Sequence, residues 1–124
     1  MIGVMIDGLT YEVPFIDVVR KADVLDKYAE RTADGVLHRE VVGVYYNYEI
    51  NWGTTENMDE YNRLWDKLTE PTAFHEITVP GSNGNYTYTG YISSVADKLR
   101  RTLNGVNYWS GLTAHFIAQA PARS

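Results

Sequence analysis

Val36-Leu37-His38-Arg39-Glu40-Val41-Val42-Gly43-Val44-Tyr45-Tyr46-Asn47-Tyr48-Glu49-Ile50-Asn51-Trp52 is the most informative run in the chain. One alternating set reads Val36, His38, Glu40, Val42, Val44, Tyr46, Tyr48, Ile50, Trp52, and the other Leu37, Arg39, Val41, Gly43, Tyr45, Asn47, Glu49, Asn51. Toward its end the run alternates apolar with polar at period two, the pattern of a half-buried strand. Tyr46 and Tyr48 then face the core with Val42, Val44 and Ile50, while Tyr45 faces solvent or a partner. As one strand the run would reach roughly 55 Å at about 3.3 Å per residue, far beyond the usual five or six residues. No small domain covers both faces of such a strand. Its early part, where Leu37, His38, Arg39 and Glu40 interleave, is too charged for a core and too apolar for a free loop.

That segment is therefore expected to project as a hairpin turned at Asp34-Gly35 and to act as an assembly arm. The candidate interface residues are Arg31, Thr32, Asp34, Gly35, Leu37, Arg39, Glu40 and Tyr45. Arg31 and Arg39 would pair with acidic groups on an adjacent subunit, because a guanidinium meets a carboxylate in a bidentate geometry that fixes orientation. The competing reading is a surface hairpin with no partner.

Upstream, Met1 to Ile6 reads as a short strand ending in the turn dipeptide Asp7-Gly8. Tyr11-Glu12-Val13 runs into Pro14, which points to a strand end or sheet edge. A strand is predicted for Ile16 to Asp23, with no clean period beyond it. Downstream, Gly53-Thr54-Thr55 breaks the long strand and offers a helix N-cap, with Glu56, Asp59 and Glu60 at the positive end of the helix dipole. Met58, Tyr61, Leu64, Trp65 and Leu68 recur at spacings of three and four, one face of a helix over about 56–69 that stops before Pro71, and this stripe is expected to pack across a sheet as core. Asp59 and Arg63 have pairing distance at i,i+4.

Ala73 to Val79 and Tyr86 to Ser93 read as strands joined by a five- or six-residue loop, Pro80 to Asn85. Ser94 to Leu103 is open: Val95, Leu99 and Leu103 fit a helical face, yet the preceding strand could simply continue. Asn104-Gly105 ends it in either case. Val106 to Ala118 is a closing strand with Leu112, Ala114, Phe116 and Ala118 on one face, followed by the tail Pro121-Ala122-Arg123-Ser124. Together these elements predict one α+β, mainly β domain over 1–124. Its layout is an antiparallel β-sandwich or a curved barrel-like sheet, with one flanking helix and a long protruding hairpin.

With 124 residues, 44% hydrophobic and 22% charged, the chain is long enough for a core and too apolar for global disorder. It has no cysteine, which excludes disulfides, thiolate nucleophiles and sulfur-ligated metals. No apolar run approaches the roughly 20 residues that span a bilayer, and the first residues lack the form of a signal peptide, so a soluble protein made in the cytoplasm and no membrane partner are expected. The net charge of −5 disfavours sequence-specific nucleic-acid binding. The one basic cluster, Lys98-Leu99-Arg100-Arg101, reads as a solvated face. Ten tyrosines and three tryptophans suit half-buried sheets and interfaces.

Catalytic chemistry finds no support. His38, His75 and His115 fall in separate predicted segments without the spacing of a local metal site, and His75-Glu76 lacks the second histidine of a zincin helix. Gly81-Ser82-Asn83-Gly84 lacks the Gly-Lys-Ser/Thr ending of a phosphate loop, and there is no nucleophile elbow. Asn85-Tyr86-Thr87 matches the glycosylation acceptor by chance. No catalytic, cofactor-binding or metal residues are assigned, and no cofactor is expected.

The run Arg31-Thr32-Ala33-Asp34-Gly35-Val36-Leu37-His38-Arg39-Glu40-Val41-Val42-Gly43 followed by Tyr45-Tyr46-Asn47-Tyr48 resembles small structural proteins of tailed bacteriophages and prophages. Glu60-Tyr61-Asn62-Arg63-Leu64-Trp65 and Tyr108-Trp109-Ser110-Gly111-Leu112 are similar to segments found in the same company. The resemblance implies a virion component of the tail tube, distal tail or baseplate, made in the host bacterial cytoplasm. Its partners would be copies of itself in a ring-like homo-oligomer and other tail proteins. An acidic lumen would let DNA slide past without binding it. A reading from a different class is a small ligand-binding or catalytic β-barrel domain with a pocket lined by tyrosines and histidines.

Overall fold

A computed structural model describes residues 4–123; Met1 to Gly3, the start of the first expected strand, and Ser124 lie outside the described residues. In chain order the elements are β1 (Met5–Ile6), β2 (Phe15–Arg31), β3 (Leu37–Trp52), α1 (Met58–Leu68), β4 (His75–Gly81), β5 (Gly84–Leu103) and β6 (Val106–Ala118). Every strand pairing is antiparallel, and the strands form one six-stranded sheet of order β1-β4-β5-β6-β3-β2. The α+β, mainly β class is as the sequence predicts, with one helix and a protruding hairpin.

Alternation at the end of β3 sets the core face. Tyr48, Ile50 and Trp52 are buried, and they pack with Leu112, Ala114 and Phe116 of β6 and Ile77 and Val79 of β4. Trp52 meets Phe116 edge-on, with ring centroids 6.4 Å apart. On the opposite face the polar set joins three strands. Asn47 donates to Asp23 Oδ2 of β2 at 2.7 Å and accepts the Ala118 N–H of β6 at 2.9 Å. Asn51 repeats the arrangement, donating to Asp17 at 2.6 Å and accepting from Thr113 at 2.7 Å.

The sheet curls strongly but stays open. In a flat sheet β2 would lie about 14–19 Å from the β4–β5 turn, three or four strand spacings away. Instead Arg20 of β2 donates to Ser82 Oγ in that turn at 2.8 Å. Inside the curl, Tyr46 and Tyr48 of β3 gather against Tyr86 and Tyr88 of β5, with centroids 5.4 to 6.4 Å apart. The edge strands β1 and β2 do not pair with each other, so no barrel closes.

Helix α1 covers the other end of the concave face. Tyr61, Leu64 and Leu68 are buried as the stripe predicts, while Met58 and Trp65 are only half-buried at its rim. The N-cap is Asn57, whose side chain accepts from the Glu60 N–H at 3.2 Å, and not a residue of Gly53-Thr54-Thr55. An Asn side chain reaches the third N–H of the first turn only from the residue directly before the helix. Arg63 pairs with Glu60 one turn back, not with Asp59. Lys67 in the last turn complements the negative end of the dipole.

Several boundaries differ from expectation, each for a local reason. The β4–β5 connection is the two-residue turn Ser82-Asn83, because the ladder continues through Pro80↔Asn85 and Gly81↔Gly84. Ser94 to Leu103 is strand, closed by Asn104 and Gly105 at φ +52° and +78°. Two left-handed residues make the tight hairpin turn that matches strand twist, which a helix ending could not use. Strand β2 runs past Asp23 to Arg31, held by its partner although its own sequence shows no period. Asp7-Gly8 turns tightly as predicted, with Ile6 and Leu9 exchanging both backbone hydrogen bonds.

Candidate assembly surfaces

Strands β3 and β6 pair only from Tyr48↔Phe116 to Asn51↔Thr113. From that short junction the two hairpins leave in opposite directions. Strand β3 continues back from Tyr48 to Leu37, beyond the carboxyl end of β6, for roughly 36 Å at 3.3 Å per residue. Strand β6 continues from Thr113 to Val106, beyond Trp52, for roughly 23 Å. The β2–β3 hairpin, the first arm, is paired throughout yet exposed from Lys27 to Val42. The carboxyl-terminal tail meets its base, where Val44 N–H donates to Arg123 O at 2.7 Å and Gly43 leaves room for Pro121.

The tip of the first arm is built by its own residues. Thr32 N–H donates to Val36 O at 2.8 Å and Gly35 N–H to Thr32 O at 2.9 Å, with Gly35 at φ +85°. The Asp34 carboxylate accepts from the Thr32 hydroxyl and the Val36 N–H, and these bonds hold its pKa below the usual range. Arg31 donates to Gly35 O at 2.7 Å, and Arg39 pairs with Asp26 at 2.6 Å. Both guanidiniums thus have partners within the arm, where they brace it. Tyr45 lies opposite Asp23, far back along the hairpin from the tip, in a shallow groove of about 380 Å³ with Val24, Leu25 and Ile117. The structure therefore gathers Arg31, Thr32, Asp34, Gly35 and Leu37 at the tip, sets Arg39 and Glu40 just behind them, and keeps Tyr45 apart.

Two bulges alter the faces of this arm. Val42 is an extra residue between Gly43 and Val41, and Lys27 an extra residue between Asp26 and Tyr28. Each shifts the alternation by one, so the set from Val36 to Trp52 does not keep to a single face. One face of the distal arm carries Leu37, Arg39 and Val41 with Arg31, Ala29 and Asp26 across from them; the other carries His38 and Glu40 with Glu30 and Tyr28. Val24, Leu25, Tyr28, Val36, Leu37, Val41 and Val42 remain between 44% and 50% exposed.

Sequence reasoning left the second arm unread. It is the β5–β6 hairpin beyond Ala96 and Thr113, carrying exposed Leu99, Leu103, Val106 and Trp109 beside Lys98, Arg100 and Arg101. Arg100 and Arg101 stack over Tyr108, 5.7 and 5.0 Å from its centroid, and reach Glu56 at 3.2 and 3.4 Å. Gly111, at φ +69°, bulges β6 opposite Asp97. Asn-Gly between Leu103 and Val106 was the available signal, since that dipeptide favours a two-residue hairpin.

A cleft of about 580 Å³ lies between Tyr46, Tyr48 and Tyr86, the turn from Gly81 to Asn85, and Arg20 and Arg123. It gathers tyrosines and arginines without a histidine. His38 stands near the first arm's tip, His115 opposite Glu49 on the convex face, and His75 is buried. His75 Nδ1 lies 2.7 Å from Asp7 Oδ2, and Asp7, Glu70 and His75 together have the proximity of a cation site. The Lys67 ammonium already serves these carboxylates, 3.6 Å from Asp7 and 3.1 Å from Glu70. The cluster is a charge network that ties the β1 turn to the end of α1. Partial burial pushes the Asp7 carboxyl up, but His75, the Glu76 N–H and Lys67 outweigh it and hold the pKa below its ordinary value.

No family model, curated protein or solved structure matches the chain. No helix among the described residues is long and apolar enough to cross a membrane.

Proposed function

We propose that this chain is a non-enzymatic structural subunit that assembles with copies of itself, of the kind found in the tails of bacteriophages. The observation that carries the reading is the pair of arms. Each is a two-stranded ribbon whose apolar side chains stay about half exposed, and isolated two-stranded ribbons are marginal in water. A second surface must cover them before their burial contributes to stability. The net charge of −5 agrees with a wall along which DNA slides. The test is solution mass by sedimentation, with negative-stain images of whatever forms. Rings or tubes, and their loss when Thr32 to Leu37 are deleted from a chain that still melts cooperatively, are the expected result. A deletion variant that assembles normally would remove the first arm from the mechanism, and a strict monomer would remove the reading.

The Tyr46, Tyr48 and Tyr86 cleft favours a second reading, a site for a small anionic ligand held by Arg20 and Arg123. A monomer whose melting temperature rises with added inorganic phosphate, and does so no longer after Arg20→Ala, would support it over assembly.

A further inference from the structure

Resting on the assembly reading, we infer that successive copies join head to tail, the acidic face of the first arm of one copy seating on the basic second arm of the next. Direction comes first. Because the arms leave opposite ends of the β3–β6 junction, each copy presents two different surfaces pointing apart. A contact between unlike surfaces is heterologous: it closes into a ring if its rotation closes, and otherwise grows as a helical filament.

Charge then selects the partner. Residues 98–110 hold three cations and no carboxylate in a chain of net charge −5, so the remainder of the chain carries −8. The second arm is thus a basic patch on an acidic molecule. Among the described residues Lys98 has no ion-pair partner, and Arg100 and Arg101 share only the exposed Glu56. On the first arm, Arg39 and Asp26 satisfy each other on one face. Glu30 and Glu40 occupy the other face with Tyr28, and neither has an ion-pair partner among the described residues. Two unpaired carboxylates around the half-exposed Tyr28 match the face of the second arm where Lys98, without a partner among the described residues, and Arg100 and Arg101, sharing one carboxylate, cluster around Tyr108. Like-sign pairing of two first arms or two second arms would set these charges against one another.

The prediction is tested by reversing each side. Glu30→Lys with Glu40→Lys makes one variant, and Lys98→Glu with Arg101→Glu makes the other; all four positions are exposed, so both variants should keep the wild-type melting transition. Each alone is expected to sediment as a monomer, and a one-to-one mixture to recover the wild-type assembly with the two chains alternating. Wild-type assembly should also weaken as salt is raised, a measurement that needs no variant. Either variant assembling alone as the wild type does, a mixture that stays monomeric, or assembly indifferent to salt would overturn the head-to-tail contact while leaving self-assembly standing. A wild-type chain that remains monomeric at every concentration and salt would overturn self-assembly itself.

Discussion

The Tyr61 hydroxyl donates to Asp97 Oδ2 at 2.8 Å, and this single bond ties α1 to the root of the second arm. The bulge at Gly111 sits directly across from Asp97, where the strand path changes. Burial pushes the Tyr61 hydroxyl pKa up, and the hydrogen bond and charge of Asp97 push it further in the same direction. The phenol is therefore held as a donor across the accessible pH range.

Tyr61→Phe keeps the packed ring and deletes the bond. Because the acceptor is a charged, partly exposed carboxylate, the expected cost is about 1–2 kcal/mol. In a chain of this size that lowers the melting temperature by roughly 4 °C per kcal/mol. An unchanged melt would show that water replaces the phenol at Asp97 without loss.

Leu64 and Trp65 are neighbours in sequence with unequal burial. Leu64 is 1% exposed, so Leu64→Ala should cost about 2–5 kcal/mol. The sequence pattern placed the Trp65 ring in the core, but it stands at the rim, beside Trp109 and Asp97. Trp65→Ala should consequently cost less than the roughly 3–5 kcal/mol of a fully buried ring, and less than Leu64→Ala. Denaturant unfolding of the two variants decides the order, and the reverse order would place Trp65 in the core after all.

Tyr88 stacks between Tyr48 and Tyr86 with its hydroxyl buried and without a hydrogen-bond partner among the described residues. Burial pushes its pKa up, with the neighbouring phenols adding to the shift. A buried hydroxyl that lost its water and gained nothing costs about 1–3 kcal/mol. Tyr88→Phe should therefore be neutral or raise the melting temperature, whereas Tyr61→Phe lowers it. A clear drop for Tyr88→Phe would mean that the hydroxyl has a bound partner.

Asp7 has a depressed pKa in the folded chain, so its contribution is present above the ordinary carboxyl value of 3.8 and is lost as pH falls through the folded value. Asp7→Asn should remove that contribution near neutral pH and flatten the loss of stability below about pH 4. Melts of the wild type and the variant from pH 7 down to 2 are expected to converge. Parallel curves would leave the charge network without a thermodynamic role.

Local chemistry made much of this molecule legible from its sequence. The period-two run ending at Trp52, the Tyr61, Leu64 and Leu68 stripe, and the turn dipeptides Asp7-Gly8 and Asn104-Gly105 each specify a geometry through the few residues around them. That is why the β-rich class, the single helix and the protruding first arm follow from composition and spacing. Tertiary structure alone decided how far apart in sequence these pieces would meet. The side chains of Ser94 to Leu103 fit strand and helix alike; pairing with β6 through the Asn104-Gly105 turn decides for strand, and with it the second arm comes into being. Nothing near Arg20 announces Ser82, because only the curl of the sheet brings strands separated in the ladder into contact. Arg31 and Arg39, legible as cations in search of carboxylates, find the Gly35 carbonyl and Asp26 on their own hairpin, since the ladder register sets which side chains come within reach of each other.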